Sequence, residues 1–204
     1  LIYVTTIFLL SQLKRDNSIM DVAYGPAFAL CYWATWWAIG APTNSSALLI
    51  GGLVTLWALR LGIRIGRKNW AEPEDARYAA WRERWLQHGR MYFVIRSFVQ
   101  VNVLQGIIIF CVLTPFTLAL NSPDSFNLMF LLVGAAVFLI GLSLETIADW
   151  QLDAFIARKK MGTESATVMQ RGLFRYSRRP NYFGESLIWW GLAIVALPVQ
   201  YGWI

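Results

Sequence analysis

Residues 22–59 read VAYGPAFALCYWATWWAIGAPTNSSALLIGGLVTLWAL, 38 positions without a single Asp, Glu, Lys or Arg. A bilayer core takes about 20 apolar residues per helix. The window therefore holds two spans, with Ala41-Pro42-Thr43-Asn44 as the turn between them. Windows 97–123, 125–144 and 186–204 are equally free of charge. Composition agrees, since 57% of the 204 residues are hydrophobic, 15% are charged and the mean hydropathy is +0.46. Such a chain is not an ordinary soluble domain.

The windows and the breakers between them predict an all-α, polytopic integral membrane helical bundle. Its helices fall at about 1–12, 18–40, 46–67, 92–119, 125–158 and 180–200, within one transmembrane domain over 1–204. Pro115 kinks the fourth helix, and Asn121-Ser122-Pro123-Asp124 turns the chain into the fifth. The fifth is too long for one crossing and projects its last turns into water. The first residues, LIYVTTIFLL, read as the second half of an apolar helix with no initiating Met, and the chain stops at Gly202-Trp203-Ile204. A fragment trimmed at both ends is expected.

All 18 basic residues fall in three places: Lys14 and Arg15, nine between Arg60 and Arg96, and seven between Arg158 and Arg179. The loops near 41–46 and 120–127 carry only Asp124. By the positive-inside rule both large polar loops face the cytoplasm, and six crossings leave both ends outside. The protein is expected to be multi-pass, in the inner membrane of a bacterium or the endoplasmic reticulum of a eukaryote.

Cys31 and Cys111 lie inside apolar windows with no CxxC pair and read as buried thiols, and the single histidine, His88, is in a polar loop. No metal site, disulfide framework or histidine-based hydrolase is expected. The +6 charge reflects topology and anionic lipid rather than nucleic acid. Trp33, Trp36 and Trp37 fit an outer aromatic belt, and Trp81 and Trp85 an inner one.

Ionisable groups inside spans cost roughly 2.5–3.5 kcal/mol by insertion scales and usually mark a pathway or a site. Asp21 stands at the start of the second helix with Tyr24 on the same face. Arg60, Arg64 and Lys68 make a basic stripe on the third, and Glu145, Asp149 and Asp153 an acidic one on the fifth. Asn181 and Glu185 sit four apart at the start of the sixth. Each set has a bland account: snorkelling arginines, inter-helix ties or helix caps. Their convergence on the cytoplasmic side, beside Arg171, Arg175, Arg178 and Arg179, instead describes a polar cavity for an anionic cofactor. No GxGxxG is present, so side chains must meet its phosphates.

The run Gly172-Leu-Phe-Arg-Tyr-Ser-Arg-Arg-Pro-Asn-Tyr-Phe-Gly-Glu185, followed by Ser-Leu-Ile-Trp-Trp-Gly191, resembles the C-terminal signature of membrane steroid 5α-reductases and their bacterial DUF1295-type relatives. It is similar to that of sterol reductases too. The resemblance extends through Glu145-Thr-Ile-Ala-Asp149, Asn69, Pro73-Glu-Asp-Ala-Arg77 and Arg15-Asp-Asn-Ser-Ile-Met-Asp21. It implies a fold of seven transmembrane helices in which NADPH, entering from the cytoplasm, reduces the 4,5 double bond of a 3-oxo-4-ene steroid. On it, Arg60, Asn69, Asp149, Arg158, Asn181 and Glu185 fall on cofactor-contacting positions, and Glu145 where relatives carry another polar residue. Arg64, Arg77, Tyr176, Arg178 and Arg179 are added from chemistry, because guanidinium forks suit phosphates and a tyrosine in a basic loop can hydrogen-bond ribose or stack.

Such a reduction also needs a donor at the substrate ketone. Asp21 and Tyr24 are the candidates, the carboxyl staying protonated in an apolar pocket. Trp57 stands where relatives carry a tyrosine on the third helix, a role for which Tyr24 is the substitute. The family continues past this chain's end with a seventh helix and a basic tail.

The expected substrate is a steroid-like or other enone lipid, and the expected partners are membrane lipids, with the protein a monomer. Two other readings stand beside this one. A membrane methyltransferase binding S-adenosylmethionine shares a related Arg-x-Pro-x-Tyr pattern, but needs no phosphate-binding arginines. A transporter or lipid-binding membrane protein needs polar groups along the whole span, whereas residues 27–55 hold nothing more polar than Thr, Ser, Asn and Tyr.

Overall fold

A computed structural model describes residues 1–69, 73–118, 120 and 127–198. Every regular element among them is helical: α1 (Ile2–Lys14), α2 (Ile19–Ala38), α3 (Ser45–Asn69), α4 (Ala76–Leu86), α5 (Arg90–Arg96), α6 (Leu104–Leu118), α7 (Leu128–Lys160) and α8 (Pro180–Ala196). A π turn, Ser97–Val103, joins α5 to α6. The protein is thus an all-α membrane protein. Ser45–Asn69, Arg90–Leu118 and Leu128–Lys160 are each long and apolar enough to cross a bilayer. Of the six expected crossings, these three meet both measures; α1 has 13 residues, α8 has 17, and α2 carries Asp21, Gly25 and Pro26 within its 20. The turn at 121–124 and the chain beyond 198 lie outside the described residues. Contacts gather into two compact units, Leu1–Asn121 and Ser122–Ile204.

In the first unit α2 and α3 form a hairpin. Asn44 starts α3 by accepting from the Ala47 N–H at 2.6 Å. The helices approach where they are small: a Cβ on Gly25 would stand 2.9 Å from the Ala58 carbonyl oxygen, and one on Gly62 3.0 Å from the Pro26 ring. Tyr32 donates to the Ala47 carbonyl at 2.8 Å, and the Trp33 indole N–H to the Thr55 hydroxyl at 2.8 Å. Trp33 is therefore an inter-helix tie as well as an aromatic of the span.

Two expectations are corrected here. The polar stretch 67–90 is not simply a loop, because α4 lies within it, capped by Asp75, whose carboxylate accepts from the Arg77 N–H at 2.9 Å. Tyr78 and Trp85 of α4 are buried with Val4, Met20, Phe93 and Val101, and Trp81 packs against them. Their spacing of three, four and seven puts them on one helix face, so Trp85 is core rather than belt. Cys31 and Cys111, read as buried thiols, are exposed. An apolar window that crosses a bilayer presents a lipid-facing side as well as a packed one.

The second unit is α7 against α8. Gly134 and Gly141 on α7 meet Gly191 and Gly184 on α8, each pair seven residues apart along its own helix. A Cβ on Gly141 would lie 2.6 Å from the Gly184 carbonyl oxygen, and one on Gly134 2.7 Å from that of Gly191. The backbones touch directly, as membrane helices do when lipid removes the hydrophobic drive to associate.

Candidate functional site

In the first unit, the segment before α4 is clamped onto the start of α2. The Asn17 N–H donates to Glu74 at 2.8 Å, and Arg82 donates twice to Glu74, at 2.8 and 2.8 Å. The Asp75 N–H donates to the Ser18 hydroxyl at 2.8 Å. Asp21 completes the clamp by accepting from the Tyr78 hydroxyl at 2.6 Å and from Arg77 at 3.2 Å.

Asp21 and Arg77, expected in different roles, are thus brought together. Asp21 accepts here, on both oxygens, where a protonated carboxyl donating to a ketone is the sequence expectation. Arg77 is shared between Asp21 and Asp75. Tyr24 stacks edge-on against Phe28 at 5.2 Å, and Phe28 against the buried Trp57 at 5.2 Å. Arg60, Arg64 and Asn69 are half-buried along α3.

Burial, and then the neighbouring Asp21 charge, push the Tyr78 phenol upward and keep it a donor. The Arg77 guanidinium, donating to Asp75, holds that carboxyl below the usual carboxylate range. Its folded pKa is depressed, so the stability it contributes is present above the unfolded value near about 4 and is lost as pH falls through the folded one. Acid is therefore expected to loosen α4 ahead of the spans. Hydrogen exchange across Ala76–Leu86 between about pH 6 and about pH 3 checks this, and equal protection at both contradicts it.

In the second unit Glu145 and Asp149 are buried, 4% and 3% exposed, on the face of α7 that meets α8. Asn181 donates to Asp149 at 3.4 Å. Its own side-chain oxygen is buried without a hydrogen-bond partner among the described residues. Glu185 is half-buried one turn further along α8.

Residues 161–179 fold back beside the end of α7. Gln151 accepts from the Leu173 N–H at 2.9 Å, and its amide presses on Gly172, whose φ of +61° and lack of a Cβ admit that contact. The fold-back leaves a cleft of about 1300 Å³ whose walls include Arg171, Arg175, Arg178, Arg179 and Asn181. Arg179 donates to the Tyr182 hydroxyl at 3.0 Å and lies over its ring. Arg171 and Arg158 flank Glu164 at 3.8 and 3.7 Å, so Arg158, expected on a cofactor, has a carboxylate beside it. Arg175 and Arg178 have no carboxylate partner among the described residues, and Tyr176 is 84% exposed. The start of α8 has no side-chain cap, and its first residue, Pro180, brings no N–H of its own.

Guanidinium groups without protein anions, a helix N-terminus and a buried amide acceptor suit a polyphosphate that also carries hydrogen-bond donors. Pockets for small ligands run to about 300–1,000 Å³, so the cleft has room for a dinucleotide. Sequence reasoning left out Tyr78, Glu74, Arg82 and the fold-back contacts of Gln151 and Glu164. Only the aromatic spacing of α4 signals the first; the others depend on how the segments before α4 and after α7 fold back and carry no local pattern.

A stretch of 72 residues is 35% identical to "3-oxo-5-alpha-steroid 4-dehydrogenase 1" of Bos taurus, covering 35% of this chain and 26% of that protein. The chain thus aligns with about a quarter of that relative's length. No solved structure matches. The family model described as "Protein of unknown function (DUF1295)" matches residues 7–204, nearly the whole chain, and the chain belongs to that family.

Proposed function

We propose that this protein is an NADPH-dependent membrane reductase acting on the activated carbon–carbon double bond of a steroid-like or other enone lipid. The arginine cleft of the second unit carries the reading. Arg175 and Arg178 supply cationic forks with no carboxylate competitor among the described residues, and Asn181 supplies a buried acceptor for a ribose hydroxyl or carboxamide N–H. The similarity to a steroid dehydrogenase supports the reaction class. NADPH supplies hydride when bound.

In this reading Arg175, Arg178 and Arg179 hold phosphates while Asn181 fixes orientation. Arg60, Arg64, Asn69, Arg77, Glu145, Asp149, Arg158, Tyr176 and Glu185 remain cofactor assignments, and Asp21 with Tyr24 the catalytic ones. Since Asp21 accepts from Tyr78 and Arg77, its contribution begins with fixing those donors in place. The basic-residue bias puts the cofactor side in the cytoplasm.

The test is consumption of NADPH by the whole protein in lipid, with 3-oxo-4-ene steroids and simpler enones as acceptors. Asp21→Asn is expected to leave NADPH binding within about twofold and to slow reduction by on the order of 10²-fold, the usual scale for a positioned polar group. Full activity in that variant removes Asp21 from the reaction. Turnover with no enone, together with methyl transfer from S-adenosylmethionine, replaces the reading.

A further inference from the structure

At the π turn of the first unit, polar side chains are sealed inside apolar helices. Asn17, Ser97 and Asn102 are each 0% exposed. The Ser97 hydroxyl donates to the Asn17 side-chain oxygen at 2.8 Å, and the Asn102 amide donates back to the Ser97 carbonyl at 3.2 Å. Both asparagines therefore meet at one residue. Gln105 lies one turn beyond Asn102. A π turn displaces one residue from the i→i−4 ladder and recurs at functional sites.

Three buried side-chain atoms at this turn have no hydrogen-bond partner among the described residues: Asn17 Nδ2, Asn102 Oδ1 and Gln105 Oε1. One is a donor and two are acceptors, and buried polar groups rarely stay unpaired. We propose that the π turn is a binding site for a hydroxyl group, its oxygen accepting from Asn17 Nδ2 and donating to Asn102 Oδ1 or Gln105 Oε1. Neither a ketone nor an anion fits, because both leave the amide oxygens without a hydrogen. Water fits with two hydrogens to give, one to each acceptor; the alcohol of a lipid fits with one.

The site stands independently of the reductase reading.

The test is an experimental structure of the whole protein in lipid nanodiscs, at a resolution that shows ordered water, with organic extraction of the same sample and mass spectrometry of its lipids. The expected result is an oxygen about 3 Å from Asn17 Nδ2 and from at least one of the two amide oxygens. An isolated round peak identifies water. A peak continuous with a chain or ring, with a hydroxylated lipid in the extract, identifies a lipid alcohol. A structure in which the three amides pair with one another, with no density between them, overturns the proposal.

Discussion

Gly184→Leu is expected to break the second unit. A Cβ at that position would stand 2.6 Å from the Glu145 backbone nitrogen and 2.7 Å from the Gly141 carbonyl oxygen, and both are helix backbone that has nowhere to go. Overpacking a fitted interface costs about 3 kcal/mol. In a bilayer no hydrophobic gain offsets the lost contact, because lipid tails cover the separated faces equally well. The thermal midpoint of the whole protein in detergent is expected to fall by on the order of 10 °C. Gly52→Ala is the control, since a Cβ there meets nothing within 4 Å. It is expected to hold or raise the midpoint through helix propensity. Equal midpoints for the two variants contradict the close packing of α7 on α8.

The second large effect belongs to the cleft. Removing Arg175 and Arg178 together is expected to weaken NADPH binding by on the order of 10²-fold or more. A hydrogen bond to a charged group is worth about 1.5–3 kcal/mol, and about 1.4 kcal/mol is tenfold in affinity. Arg171→Ala is expected to do less, because that guanidinium already neighbours Glu164 at 3.8 Å. Raised salt should narrow the difference between wild type and the double variant, as screening weakens exposed charges. Isothermal titration in lipid nanodiscs checks it, and a double variant that binds NADPH as tightly as wild type removes the arginines from the phosphate site.

The spans were legible because the bilayer writes them in composition. A run such as 125–144, without a charge, has one economical structure, and the expected helix at about 125–158 appears as Leu128–Lys160. The breakers were legible as well: the turn Ala41-Pro42-Thr43-Asn44 precedes α3 and Pro180 opens α8. α4 was hidden by its surroundings. Arg77, Arg82 and Arg84 dominate its composition, and Tyr78, Trp81 and Trp85 pass for a membrane belt until their common face is counted. The π turn has no pattern of its own, and the Ser97 hydroxyl at its start is held by Asn17 and Gln12 from distant sequence.

The site divides along the same line. Arg178, Arg179 and Asn181 are close in sequence, so a motif groups them and the structure places them on one cleft. Pairings across long separations are invisible to spacing. Asp21 reaches Tyr78 over 57 residues and Arg77 over 56, and each changes what the carboxylate does. Glu164 beside Arg158 is closer in sequence, but it depends on how residues 161–179 fold back. A carboxylate in that place has no local signature.

The central claim is that the arginine cleft binds the phosphates of NADPH. Its most direct test is the thermal stability of the whole purified protein with NADPH, NADH or S-adenosylmethionine, since a ligand that binds only the folded state stabilises it by about 2.7 kcal/mol at a hundredfold excess over its dissociation constant. The account predicts a rise with NADPH, a smaller one with NADH, which lacks the third phosphate, and none with S-adenosylmethionine. A rise with S-adenosylmethionine and none with NADPH contradicts it.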